Sequence, residues 1–223
     1  GGILALKGLG GYQLLCDATN AAAIQRLRHR KHRPSKPLAV MVQNPASVLS
    51  PETRVKATDR PDGRHLATPA NPIMIMEKAT LNSIACNVNP GMNSLAVLLP
   101  TTPLHALLLN ELKTPLVVTS GNRDSEPLAY VETAARKNLD GIADGWLHHN
   151  RVIERPIDDS VVRIIAGRTV TIRAGRGIAP LRLPFQAHHT ILALGGEQKV
   201  ACAVSNGLQV VLGPHIGDMS TLD

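Results

Sequence analysis

The sequence predicts a twisted mixed α/β sheet with flanking helices over residues 1–184, a linker at 185–190, and the first β-hairpin of a second, truncated unit over 191–223. Two observations carry this reading. Strand-length apolar runs alternate with helical periodicity early and give way to hairpins later, the pattern of a mixed rather than a purely parallel sheet. After a proline-bounded stretch from Pro180 to His189 that reads as linker, the alternation starts afresh at Thr190. With 43% hydrophobic content, 223 residues supply one large core and part of another.

Ile3 to Leu6 predicts a strand entering the loop Lys7-Gly8-Leu9-Gly10-Gly11-Tyr12, whose glycines permit a tight turn or a close approach to a ligand. Thr19 or Asn20 caps a helix that turns Ala23, Ile24 and Leu27 to the core and Arg26, Arg28 and Arg30 elsewhere, and Pro34 ends it. Leu38 to Val42 reads as a buried strand, with a helix expected near Pro51 to Thr58. Pro72 to Lys78 and Leu95 to Leu99 are two further strands. Thr102-Pro103 starts a helix through Leu104, Leu107, Leu108 and Leu112. Pro115 to Thr119 is a strand running into the loop Ser120-Gly121-Asn122. Glu132 to Leu139 is helical, Gly145 to His149 a short strand, and Ser160 to Ile165 pairs with Thr169 to Arg173 across Ala166-Gly167-Arg168. In the second unit Ile191 to Leu194, Val200 to Val204 and Leu208 to Leu212 are strands, with a turn at Asn206-Gly207.

Composition narrows the function classes. The 24 Lys and Arg against 17 Asp and Glu, a formal +7, suit a polyanionic partner such as nucleotide, nucleic acid or an anionic membrane surface. One Trp, two Tyr and one Phe leave few rings for a single-strand stacking platform. Cys16, Cys86 and Cys202 are too scattered for a disulfide framework or a cysteine-rich zinc site, which fits a reducing cytoplasm. No apolar run approaches the ~20 residues that span a bilayer. Gly1-Gly2-Ile3 at one end and Leu222-Asp223 at the other, soon after a new motif begins, are expected of a piece of a longer polypeptide.

The candidate chemistry centres on cations. Arg26, Arg28, Arg30, Lys31, Arg33 and Lys36 gather without an acid between them, and the last three sit at a helix end and a proline turn. A turn converges charges on a triphosphate better than a straight helix face does. Thr119, Ser120 and Asn122 offer two hydroxyls and an amide where a strand ends, although an ordinary Asn-capped turn explains the same residues. Lys7 beside its glycines does not follow the Walker pattern. Asp158 and Asp159 either bind Mg²⁺ through water or pair with Arg155 and Arg163 as a structural network. Arg173 and Arg176 approach the same phosphates from beyond the predicted hairpin. Cys16 is expected to be a buried, inert thiol. His188 and His189 are linker residues rather than a metal pair, and no residue is assigned to a metal.

Taken together, Lys7-Gly8-Leu9-Gly10-Gly11-Tyr12, the run from Arg30 to Met41, Thr119-Ser120-Gly121-Asn122 and Asp158-Asp159-Ser160-Val161 resemble the HypF family of hydrogenase maturation carbamoyltransferases. Residues 1 to 184 look like its YrdC-like nucleotide-binding domain. Leu194-Gly195-Gly196-Glu197-Gln198-Lys199 through His215-Ile216-Gly217-Asp218 looks like the start of its actin-like ATPase-related domain. The resemblance implies that carbamate, derived from carbamoyl phosphate, condenses with ATP and Mg²⁺ to carbamoyl adenylate. The carbamoyl group then passes to the C-terminal cysteine of the partner HypE, on the route to the cyanide ligands of [NiFe] hydrogenase. It further implies that Lys31 and Arg33 form the KxR motif and carry catalysis, and that Ser120 and Asn122 form the SxN motif. Lys7, Lys36, Thr119, Arg173 and Arg176 are implied as further nucleotide contacts. Zinc belongs to family regions absent from this chain, and the piece alone is expected not to complete carbamoyl transfer. Arg173-Ala174 departs from a pair of arginines common in the family, and Gly213-Pro214 before His215 from a Ser or similar residue there. Two alternatives share these motifs: a threonylcarbamoyl adenylate synthase for tRNA modification, and a double-stranded RNA binding module without chemistry.

Overall fold

A computed structural model describes residues 1–44, 66–77, 83–123, 126–184, 187–197 and 200–217. The helix expected near Pro51 to Thr58, Lys78 of its expected strand, Gln198-Lys199 and Asp218 lie outside the described residues. The elements are β1 (Leu4–Lys7), β2 (Tyr12–Asp17), α1 (Ala21–Arg30), β3 (Ala39–Met41), β4 (Ile73–Glu77), a 3-10 turn (Cys86–Val88), β5 (Ser94–Leu98), α2 (Pro103–Leu112) and β6 (Leu116–Ser120). There follow α3 (Glu132–Asn138), β7 (Gly145–Leu147), β8 (Val161–Ile165), β9 (Arg168–Arg173), β10 (Leu181–Leu183), β11 (Thr190–Leu194), β12 (Cys202–Asn206) and β13 (Val210–Leu212).

Among the described residues the first unit is a nine-stranded sheet in the order β7-β1-β2-β6-β3-β5-β4-β8-β9. It is mixed, as expected: β1 runs parallel to β7, β3 to β5 and β4 to β8, and the other pairs are antiparallel. Both faces are covered. Tyr12, Leu14, Val40, Val97 and Val117 join Ala23, Ile24 and Leu27 of α1 and Ala135 of α3 in one core. Leu15, Met41, Leu98, Leu116 and Val118 join Leu104, Leu108 and Leu109 of α2 in the other. Strands covered on both faces lose the inside-outside alternation that marks a half-buried strand. That is why β2 is not announced beyond the loop that ends at Tyr12: its Tyr-Gln-Leu-Leu-Cys-Asp run shows no period of two, yet pairs along β1 and β6.

Helix starts follow the sequence closely. Asn20, of the two cap candidates, accepts the Ala23 N–H at 2.9 Å, while Thr19 turns back to Asp17. Thr102 accepts the His105 N–H at 3.1 Å, with Pro103 in the first helical turn of α2.

The second unit is an antiparallel sheet in the order β10-β13-β12-β11. The stretch Pro180 to His189 is therefore not simply linker, because Leu181, Arg182 and Leu183 pair with Leu212, Val211 and Val210. Three residues between prolines show too little period to announce a strand, and only the long-range partner reveals it. The Asn206-Gly207 turn forms with Gly207 at φ +86 and Asn206 Oδ1 accepting from the Gln209 N–H at 3.1 Å. Among the described residues no helix is long and apolar enough to cross a membrane.

Candidate functional site

The end of β6 opens into a cleft of about 220 Å³. Its walls include Gly10 and Gly11 from the loop after β1, Arg33 and Pro37 from the loop after α1, Thr119 and Ser120 of β6, and Asp158, Asp159, Arg173 and Arg176. Three guanidinium groups and two hydroxyls thus meet residues separated by more than a hundred positions in the chain.

The loop carrying Arg33 is shaped by a residue expected on a solvated helix face. Arg28 is only 3% exposed. Its guanidinium donates to five backbone carbonyls: Asn87 at 2.8 Å, Val88 at 2.9 Å, Arg33 at 2.9 Å, Pro34 at 3.3 Å and Lys36 at 3.0 Å. A planar fork of five donors suits a loop whose carbonyls point inward and lack partners of their own. Arg33 itself donates through Nη2 to Pro37 O at 2.8 Å. Arg30 pairs with Asp144 at 2.6 Å and Arg26 reaches Gly1 O, so the helix arginines divide into one internal clamp and two surface contacts.

Lys31 is 1% exposed and binds the SxN loop from behind. Its Nζ donates to Ser120 O at 2.8 Å, to Asn122 Oδ1 at 2.8 Å and to Asn122 O. Ser120 Oγ donates to Asn122 Oδ1 at 2.6 Å, and Asn122 Nδ2 donates to Glu126 O at 2.6 Å. The two motifs that share a proposed ligand are therefore joined to each other directly.

The opposite wall is an acid-arginine network. Asp159 Oδ1 accepts from Arg176 Nε at 2.9 Å and Oδ2 from Gln13 Nε2 at 3.0 Å, while its carbonyl accepts from Arg173 Nε and Nη2 at 3.0 Å and 2.7 Å. Arg176 also donates to Ala70 O and Asn71 O, each at 3.1 Å. Burial pushes the Asp158 carboxyl up, but a hydrogen bond from His215 and the charges of Arg173 and Lys31 outweigh it and hold the group below its ordinary value. Of the two expectations for this pair, the structural network is the arrangement present, with partners Arg173 and Arg176 rather than Arg155 and Arg163. Asp159 has both oxygens engaged and Asp158 has one, so this pair offers little free carboxylate for a divalent ion. Among the described residues no group of three or more His, Cys, Asp or Glu is placed to hold a metal ion.

Of the expected site residues, Arg33, Thr119, Ser120, Arg173 and Arg176 line the cleft. Lys31 and Asn122 stand behind that wall. Lys7 is 8% exposed and donates to His149 O at 3.1 Å, holding the start of the glycine loop against the segment that follows β7. Lys36 is exposed, and its carbonyl serves Arg28. The glycines act by close packing: a Cβ on Gly10 would lie 2.1 Å from Ile157 O, and one on Gly175 would lie 2.3 Å from Asp158 O. Cys16 is 3% exposed, and burial together with Asp17 pushes its thiol up to about 12, as an inert thiol requires.

The family model described as "Telomere recombination", of the Sua5, YciO and YrdC proteins, matches residues 1–175. The chain belongs to the Sua5/YciO/YrdC family. Residues 186–223 match a second model, the HypF Kae1-like domain, so the YrdC-like unit is followed here by HypF sequence. The carbamoyltransferase HypF of Synechocystis sp. is 40% identical over 99% of this chain and 29% of its own length. That of Rhodobacter capsulatus is 42% identical over 98% of this chain and 29% of its own length. The chain thus spans about 29% of these curated relatives. A crystal structure of full-length HypF in its phosphate- and nucleotide-bound form covers 99% of the chain at 35% identity, with a TM-score of 0.88, and the chain covers 34% of it. Sua5 of P. abyssi, complexed with L-threonine, covers 78% of the chain at 18% identity and a TM-score of 0.61, with 50% of its own length matched, which is a likeness of fold.

Proposed function

We propose that the cleft is the adenylate-forming site of a HypF-type carbamoyltransferase, acting in the cytoplasm on ATP and on carbamate derived from carbamoyl phosphate. The observation that carries the reading is the convergence of Arg33, Arg173 and Arg176 with Thr119 and Ser120 on one cleft of a YrdC-like unit. A relative with 35% identity that was crystallised in a nucleotide-bound form supports it. A carbamate oxygen attacks the α-phosphorus, forming the O–P bond of carbamoyl adenylate while the bond to the bridging oxygen breaks and pyrophosphate leaves with its electron pair. Carbamate is already a nucleophile, so the chain supplies no general base.

What the residues must supply is compensation of charge. Two anions approach and a third departs, and fixed guanidinium groups stabilise the departing charge without reorganising at the moment of reaction. Arg173 spends Nε and Nη2 on Asp159 O, which leaves Nη1 for a phosphate oxygen. Arg176 is held by three partners and contributes a fixed positive field. Lys31 and Asn122 together hold Ser120, which lines the cleft, and Arg33 binds phosphate from the loop that Arg28 shapes. Lys7 and Lys36 complete the basic surround. Mg²⁺, where it accompanies the nucleotide, would be held by the phosphates rather than by a carboxylate set of these residues and would supply Lewis-acid stabilisation of the leaving group. In the longer polypeptide the carbamoyl group is then passed to the C-terminal cysteine of HypE.

Isotope exchange between pyrophosphate and ATP tests this. Exchange that depends on carbamate or carbamoyl phosphate is the expected result. Exchange supported only by threonine plus bicarbonate would assign the chain to threonylcarbamoyl adenylate synthesis instead.

A further inference from the structure

The segment 213–217 joins the second sheet to the wall of the cleft. On one side the Gly213 N–H donates to Cys202 O at 2.8 Å and the Val200 N–H to Gly217 O at 2.9 Å. On the other side the His215 N–H donates to Ala174 O at 2.7 Å, and His215 Nδ1 lies 3.2 Å from Asp158 Oδ2. The two side chains are 12% and 25% exposed. A carboxylate at that position selects the tautomer with its hydrogen on Nδ1, so the imidazole donates and Asp158 accepts. His215 Nε2 is buried without a hydrogen-bond partner among the described residues. The ring is therefore held to the first unit through its Nδ1 hydrogen bond.

Asp158 shares the cleft lining with Arg33, Arg173 and Arg176. A carboxylate there opposes any polyanion that enters, and how strongly it does so depends on whether its charge is engaged elsewhere. We propose that His215 is a positioning residue of the nucleotide cleft: by holding Asp158 Oδ2, the second unit keeps the anion of the cleft wall away from an incoming triphosphate. This rests on the reading of the cleft as an ATP site. His215 acts through Asp158 and does not touch the nucleotide.

The mechanism has an epistatic signature that a merely structural role lacks. Loss of His215 is harmful only while position 158 carries a charge. Calorimetric titration of the 223-residue chain with ATP, and separately with inorganic pyrophosphate, reads it. His215→Ala weakens both ligands about tenfold, the effect of losing a hydrogen bond to a charged group. His215→Asn, whose amide nitrogen reproduces the Nδ1 donor, stays within about twofold of the unsubstituted chain. His215→Ala combined with Asp158→Asn returns to within about threefold, because no charge remains to be held. Unchanged affinity in His215→Ala, or a loss that persists in the double variant, overturns the proposal. Should His215→Ala fail to fold by thermal melting, the Asn variant decides: a tenfold loss there counts against the dyad. Failure of ATP to bind the unsubstituted chain strikes the functional reading instead, while the pyrophosphate titration still reads the dyad.

Discussion

Lys31 and Arg28 are both withdrawn from solvent, and each holds a loop of the cleft wall through its backbone oxygens. The sequence marks Lys31 as a phosphate ligand and Arg28 as a surface charge, whereas Lys31 is 1% exposed on the SxN loop and Arg28 is the 3% exposed clamp of the KxR loop. Arg28 was illegible because its acceptors are backbone carbonyls, two of them about sixty positions away at Asn87 and Val88. Lys31→Met leaves three oxygens of the SxN loop without their donor and is expected to lower stability by about 1–3 kcal/mol, read from urea denaturation, as well as abolishing exchange. His105 is wholly buried, with Nδ1 3.1 Å from Thr101 Oγ1, and burial lowers it to about 4. The unfolded chain then binds the extra proton between about pH 6.5 and 4, so stability is full above that window and falls as pH drops through it, by at most about 3 kcal/mol. His105→Gln should flatten that slope, and denaturation midpoints at pH 7 and pH 5 measure it.

Elements with local signals were readable, and elements defined by distant partners were not. α2 announces itself through Thr102 and Pro103, and β8 with β9 through an apolar hairpin pattern. β2 hides because both its faces are buried, and β10 because a strand of three residues is made only by β13. The glycine loop was legible as a place of close approach, and at Gly10 the approach is to protein, Ile157; Gly175, beyond β9, meets Asp158 in the same way. Gly10→Ala and Gly175→Ala each press a methyl onto a backbone carbonyl beside the cleft. Each is expected to cost about 1–3 kcal/mol and to weaken ATP binding, whereas Gly196→Ala, facing open space, costs less and leaves binding intact. Arg28→Lys cannot reproduce the fork and should raise the KM for ATP with the loss of at least about 2 kcal/mol of stability.

At the scale of the molecule, a +7 chain carries cations in two arrangements. Some are neutralised away from the cleft, as Arg30 is by Asp144, and others, Arg33, Arg173 and the Asp159-paired Arg176, frame a cleft assembled from the loops after β1 and α1, the end of β6 and the stretch that leads into the second sheet. Net charge suits a polyanionic partner, and only the assembled sheet brings the cations of the cleft together. The claim on which the account depends is that this cleft recognises a triphosphate, and titration calorimetry with ATP, AMP and the Arg33→Ala variant tests it. The account predicts that ATP binds at least about tenfold more tightly than AMP and that Arg33→Ala removes that difference. Equal affinity for AMP and ATP, or an Arg33→Ala chain that binds ATP as the unsubstituted chain does, would contradict it.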